Sequence, residues 1–207
     1  MHNCLVGSEM CIRDSAYQLS SQILQYLPWL ESSKNSGIQS LHGPESGNGW
    51  VRPEDEDIFL SKRTRLVLRV PRAERDKTSE LEGKELIVHG NKIVVGSSNV
   101  KPFLVVPDLI CRFVICNSNC DENSFLQDVS AQLIKHGINL KKAICGKTKK
   151  IYLKDKLTDV RSLMIADLKK EDSIKLQDIG VGTGRLYGCG IFLPHKSLDA
   201  VANFKED

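Results

Sequence analysis

A chain of 207 residues, 41% hydrophobic and 27% charged, is long enough to bury a sizeable core as one large domain or two small ones. Its net charge of +3 does not mark a nucleic-acid binder in bulk. No apolar run reaches membrane-spanning length and no secretory signal is visible, and seven cysteines without framework spacing point to a reducing cytosol.

Residues 1–15 stand apart. Val6-Gly-Ser-Glu-Met-Cys-Ile-Arg-Asp-Ser15 resembles a translated sequencing-adaptor read, so this tail is expected to be non-native. Ala16, Leu19, Ile23, Leu27 and Leu30 recur at helical spacing, which predicts an amphipathic helix over 16–27, ended or kinked by Pro28. Tyr17 near its start is a candidate RNA contact or a core aromatic. Residues 32–49, rich in Ser, Gly and Asn, read as an irregular loop around a short strand, with His42 inside it. The run 63–70 alternates, with Arg63, Arg65, Val67 and Arg69 on one face. Those arginines suit phosphate or simply a charged, exposed sheet face. The strands Leu86–Val88 and Ile93–Val95 predict a hairpin with His89 at its tip.

A second unit starts near 108. Leu109–Cys116 reads as a strand and Asn123–His136 as a helix entered from Asp121-Glu-Asn and stopped at Gly137. Cys111, Cys116 and Cys120 match neither zinc nor the usual iron–sulfur spacing, so no metal or cofactor is expected. Residues 141–156 carry seven lysines against Asp155 alone, the one concentrated basic segment. A strand near Arg161–Leu168 and a short helix from Glu171 follow.

The chain then runs Gly180-Val-Gly-Thr-Gly-Arg-Leu-Tyr-Gly-Cys-Gly-Ile-Phe192. Gly180, Gly182, Gly184, Gly188 and Gly190 permit positive φ and close backbone approach. Such a loop is a sharp turn, or a concave set of N–H groups for an anion. Its place near the C-terminus, leading into a strand, argues against a nicotinamide or flavin site.

Ser173-Ile-Lys-Leu-Gln-Asp178, this loop and its strand resemble the C-terminal glycine-rich motif of the CRISPR repeat-processing endoribonucleases, the family-six CRISPR-associated proteins, in wording closest to their MYXAN subtype. Ser61-Lys-Arg-Thr-Arg-Leu-Val-Leu-Arg69 and Ala16-Tyr-Gln-Leu19 carry the likeness upstream, over roughly residues 16–195. The resemblance implies metal-independent cleavage of CRISPR precursor RNA by its own 2′-hydroxyl, with DNA excluded as a substrate, in a cytoplasmic protein that sometimes joins other CRISPR subunits. It implies that Gly180, Gly182, Gly184, Gly188, Gly190 and Arg185 hold the RNA backbone. Lys147, Lys149, Lys150 and Arg65 would contact RNA beside them, and Lys62 and Arg63 would stabilise charge at the scissile phosphate.

The subtype generally shows Asp-His before an Ala-Tyr or Gly-Tyr. Here Asp14-Ser15-Ala16-Tyr17 puts Ser15 where that catalytic His would stand, and a hydroxyl does not replace an imidazole base near neutral pH. His42 is the substitute base to test. Two readings stay open beside cleavage: a non-catalytic subunit that binds repeat RNA, and an unrelated ferredoxin-like regulator. The element order βαβ–βαβ in the second half leads to an α+β fold of two tandem ferredoxin-like (RRM-like) domains, 16–107 and 108–207, the first lacking its first strand.

Overall fold

A computed structural model describes residues 9–39, 65–88, 90–116, 121–154 and 156–195. The chain divides into two compact units, residues 1–98 with 151–157 and residues 99–150 with 158–207.

The first unit opens with helix α1 (Glu9–Tyr26). It is longer at its start than the predicted 16–27, because Glu9 to Arg13 contain no glycine or proline to break it; part of the tail expected to be non-native is therefore helical. The apolar spacing is fulfilled, with Leu19, Ile23, Leu27 and Leu30 all buried. Pro28 opens the 3-10 turn Pro28–Glu31, where its missing N–H is no loss. Strands β1 (Gly37–Gln39) and β2 (Val67–Arg69) pair antiparallel. Of the predicted strand 63–70, residues 63 and 64 lie outside the described residues, and within 65–70 three residues form β2. Pro71 has no N–H to extend the ladder, and Arg65 precedes the strand. A 3-10 stretch, Arg72–Leu81, leads to the hairpin β3 (Glu85–Val88) and β4 (Asn91–Val94). Leu86 and Val88 alternate inward toward α1, and Gln22 of that helix accepts the Ile87 N–H at 3.2 Å. Among the described residues, the span up to 98 holds two two-stranded sheets, β1–β2 and β3–β4.

From residue 99 on the chain runs β5 (Leu109–Ile115), α2 (Glu122–Ile134), β6 (Lys142–Cys145), β7 (Lys149–Leu153), β8 (Lys156–Ala166), α3 (Lys170–Ile179) and β9 (Phe192–Pro194). All of it belongs to the second unit except residues 151–157, the end of β7 and the start of β8, which group with the first. The sheet order is β6-β8-β5-β9, with β7 also paired to β8. Leu109, Cys111 and Val114 of β5, Leu163 and Ile165 of β8, and Phe192 of β9 point to one face, where Phe125, Val129, Leu133 and Leu176 cover them. Each such apolar side chain removed from water contributes about 1.5–3 kcal/mol. Asp121 caps α2 by accepting the Ser124 N–H at 3.1 Å. Gly137, at φ 73°, ends it as a left-handed residue.

The periodicity misses two strands. β6 is four residues long with Lys142 and the exposed Ile144 on its solvent side, and β7 opens on two consecutive exposed lysines, so neither shows a clean apolar alternation. β5 also carries an irregularity: Cys111 pairs with Leu163 but Val114 with Arg161, a bulge of one extra residue at 112–113.

Candidate RNA-binding glycine loop

The loop links the C-terminus of α3 to β9, and its five glycines all adopt the conformation they permit. Gly180, Gly182, Gly184, Gly188 and Gly190 lie at φ 64°, 72°, 80°, 80° and 68°, where a Cβ is costly. Gly180 and Gly190 also face each other. A Cβ on Gly180 would fall 2.2 Å from the Gly190 carbonyl, and one on Gly190 2.2 Å from the Val181 carbonyl. Only glycine lets these two arms touch, and Val181 N–H donates to Gly190 at 3.2 Å across the contact. Inside the arms a 3-10 turn, Arg185–Tyr187, is flanked by left-handed Gly184 and Gly188, and Cys189 N–H returns to the Gly184 carbonyl at 3.1 Å.

Three contacts fasten the loop to its unit. Gly190 N–H donates to the Phe113 carbonyl at 2.7 Å, a carbonyl that belongs to the β5 bulge. Gly182 N–H donates to Oε1 of Gln132, on α2, at 3.0 Å. Arg185 Nη1 donates to the Ile179 carbonyl at the end of α3. Beneath lie two thiols, Cys111 and Cys189, both buried; desolvation pushes each up to about 12, so both stay protonated and unreactive near neutral pH. Gln132 is invisible in the sequence, because its partner is a backbone amide fifty positions away and no motif records it.

The basic segment lies on the same unit's strands. Lys147 is exposed in the β6–β7 connection, and Lys149 and Lys150 are exposed on β7. Lys150 pairs with Asp159 at 3.1 Å, so its charge is partly offset locally. In the first unit, Arg65 is exposed just before β2. Tyr17 is half-buried on α1, and Ser15 lies on the helical backbone of the same element. His42, Lys62 and Arg63 lie outside the described residues, as do His89 and Cys120. The structure therefore brings together the five glycines and Arg185 within the second unit, whereas every residue proposed for catalysis falls in the span of the first. Among the described residues no group of three or more His, Cys, Asp or Glu could hold a metal ion, and no helix is long and apolar enough to cross a membrane. Cys116 is disulfide-bonded, so cysteine usage alone does not fix the compartment.

A protein-family model described as Cas6 Crispr matches residues 3–197. This chain belongs to the Cas6 family. A CRISPR-associated endonuclease Cas6 from Myxococcus xanthus (strain DK1622) is 28% identical over 181 residues, 87% of this chain and 75% of that protein. Among solved structures, an RAMP protein described as binding different RNA substrates superposes with a TM-score of 0.62 at 14% identity, over 87% of this chain and 91% of that one. The product of a Cas6-related gene from Pyrococcus furiosus superposes with a TM-score of 0.59 at 14% identity, over 91% and 93% of the two chains. At such identities the structural likeness speaks for a shared mixed helix-and-sheet fold.

Proposed function

We propose that this Cas6-family chain binds CRISPR repeat RNA and cleaves the precursor transcript without a metal ion. The observation that carries the reading is the glycine loop. Five glycines in a chain of this family take positive φ together, and left-handed Gly184 leads directly into right-handed Arg185–Tyr187. A left-handed residue followed by right-handed ones turns successive N–H groups toward a common point, a geometry suited to a phosphate. The name of the Myxococcus relative, an endonuclease, and the RNA substrates of the RAMP neighbour point the same way.

In the reaction the 2′-oxygen beside the scissile phosphate attacks phosphorus, and the bond to the 5′-oxygen breaks. The products are a 2′,3′-cyclic phosphate and a 5′-hydroxyl. A base takes the 2′ proton, an acid supplies one to the leaving oxygen, and cations offset the phosphorane charge. Ser15, Tyr17 and His42 are the residues proposed around the base position, with Lys62 and Arg63 as the cations. Gly180, Gly182, Gly184, Gly188 and Gly190 would hold the backbone through the amides of their loop. Lys147, Lys149, Lys150 and Arg65 would add phosphate contacts. With β7 set aside as an added strand, the order β5-α2-β6-β8-α3-β9 is βαββαβ and fits a ferredoxin-like domain, and the two units are proposed to be the two domains of a tandem arrangement.

One observation favours a second reading. Ser15 stands where the subtype carries its histidine, so the alternative is a non-catalytic repeat-binding subunit. A gel assay with the host's own repeat RNA in excess EDTA separates them. A single cut leaving a cyclic phosphate is the expected outcome. Binding without cutting would establish the subunit reading, with Ser15→His then expected to restore cleavage, and absence of binding would overturn both.

A further inference from the structure

Two side chains hold the glycine loop from outside its own backbone ladder. Gln132 rises from α2 and accepts the Gly182 N–H at 3.0 Å. Its neighbours Val129 and Leu133 are buried in the core, so the helix presenting the amide is itself fixed. Arg185 reaches back from the 3-10 turn to the Ile179 carbonyl. The last carbonyls of a helix have no partner within it, and a cation there answers both the hydrogen-bond deficit and the negative end of the helix dipole.

Gly180 leaves the path open for that arginine. A Cβ on Gly180 would stand 2.7 Å from Arg185 Nη1, besides meeting the Gly190 carbonyl. The guanidinium is thus threaded through a space that exists because residue 180 has no side chain. Burial draws its pKa below the ordinary value, with the Asp178 carboxylate working the other way, as befits a cation turned into the protein. Gln132 and Arg185 both grip the arm that leaves α3, one through a donor at Gly182 and one through an acceptor at Ile179.

We infer that Gln132 and Arg185 are positioning residues that set the conformation of loop 180–190, and that Arg185 commits its guanidinium to the Ile179 carbonyl instead of to an RNA phosphate. The functional consequence rests on the RNA-binding reading above; the geometry does not.

The two roles of an arginine leave different salt signatures. Removing a phosphate contact lowers the slope of log affinity against log salt by about 0.7 for single-stranded nucleic acid. Removing a positioning residue weakens binding and leaves that slope in place. Arg185→Met keeps the aliphatic stem and discards the charge, and Gln132→Met keeps the shape and discards the acceptor.

The test uses the full chain uniformly labelled with 15N, first without RNA. Gln132→Met should move the Gly182 amide resonance and speed its hydrogen exchange, while amides of the β5 core keep their protection; an unmoved Gly182 resonance would overturn the clamp. Titration with a repeat RNA oligonucleotide at four salt concentrations follows. Each variant should bind about ten-fold more weakly, the equivalent of roughly one lost hydrogen bond, at the wild-type slope. A slope lower by about 0.7 in Arg185→Met would make Arg185 a phosphate ligand and sink its positioning role. If Arg185→Met does not fold, the Gln132→Met resonances still decide the clamp. If wild type binds no RNA, the RNA reading fails by itself and the amide readout stands alone.

Discussion

At the scale of single residues, the loop distinguishes glycines that are needed for conformation from glycines that are also needed for space. Gly182 lies at φ +72° with nothing within 4 Å of where a Cβ would stand, whereas the Cβ of residue 190 would meet a backbone carbonyl at 2.2 Å. Gly182→Ala should therefore cost only the left-handed penalty, about 1–2 kcal/mol. Gly190→Ala must also part the two arms and should lose clearly more. Denaturant unfolding of both variants checks this, and equal losses would show that the arms do not touch as described. The sequence can count these glycines and suggest their freedom to turn. It cannot say which pairs face each other, because that depends on how the loop folds back on itself.

At the scale of elements, α2 offers the sharpest check. Hydrogen bonds to its N-cap Asp121 from the Ser124 side chain, and next from the Ser124 N–H, hold the carboxyl below its ordinary 3.8. A depressed carboxyl adds stability above its unfolded value and loses it as pH falls through the folded one. Asp121→Ala should accordingly lower the melting temperature at pH 7, and the gap to wild type should close as pH drops below 3.8. A gap independent of pH would mean that the charge has no part in the cap. This cap, the Gly137 stop and strand β5 are legible in the sequence because each rests on local chemistry: an Asx side chain before a helix, a glycine after it, an alternating apolar run. α1, β6 and β7 are less so. The start of α1 reads as foreign sequence, and the lysines of β6 and β7 read as a charge run without a strand beneath them. Gln132 cannot be picked out at all, since helix position 132 is ordinary until the loop arrives beside it.

At the scale of the whole molecule, a net charge of +3 says little about nucleic acid, and the placement of charge says more. Lys147 and Lys149 are exposed, while Lys150 shares its charge with Asp159. If this segment contacts RNA phosphates, replacing all three lysines by alanine should flatten the salt dependence of repeat-RNA affinity by roughly 1.5–2 in slope, somewhat less than three full contacts at about 0.7 each. Filter binding across a salt series measures it. An unchanged slope would make these lysines a solvated face and leave the RNA to the loop and the first unit.

The bulge in β5 has a consequence for how this protein tolerates changes in length. β5 is answerable to two neighbours at once: β8 on one edge, both before and beyond the bulge, and β9 on the other edge before it, where Cys111 meets Phe192. The carbonyl of Phe113 within the bulge receives Gly190. Deleting one residue at 112–113 would make the strand more regular and at the same time pull that carbonyl out of register with the loop. Insertions and deletions are thus barred from the middle of β5 by a partner far downstream in the chain.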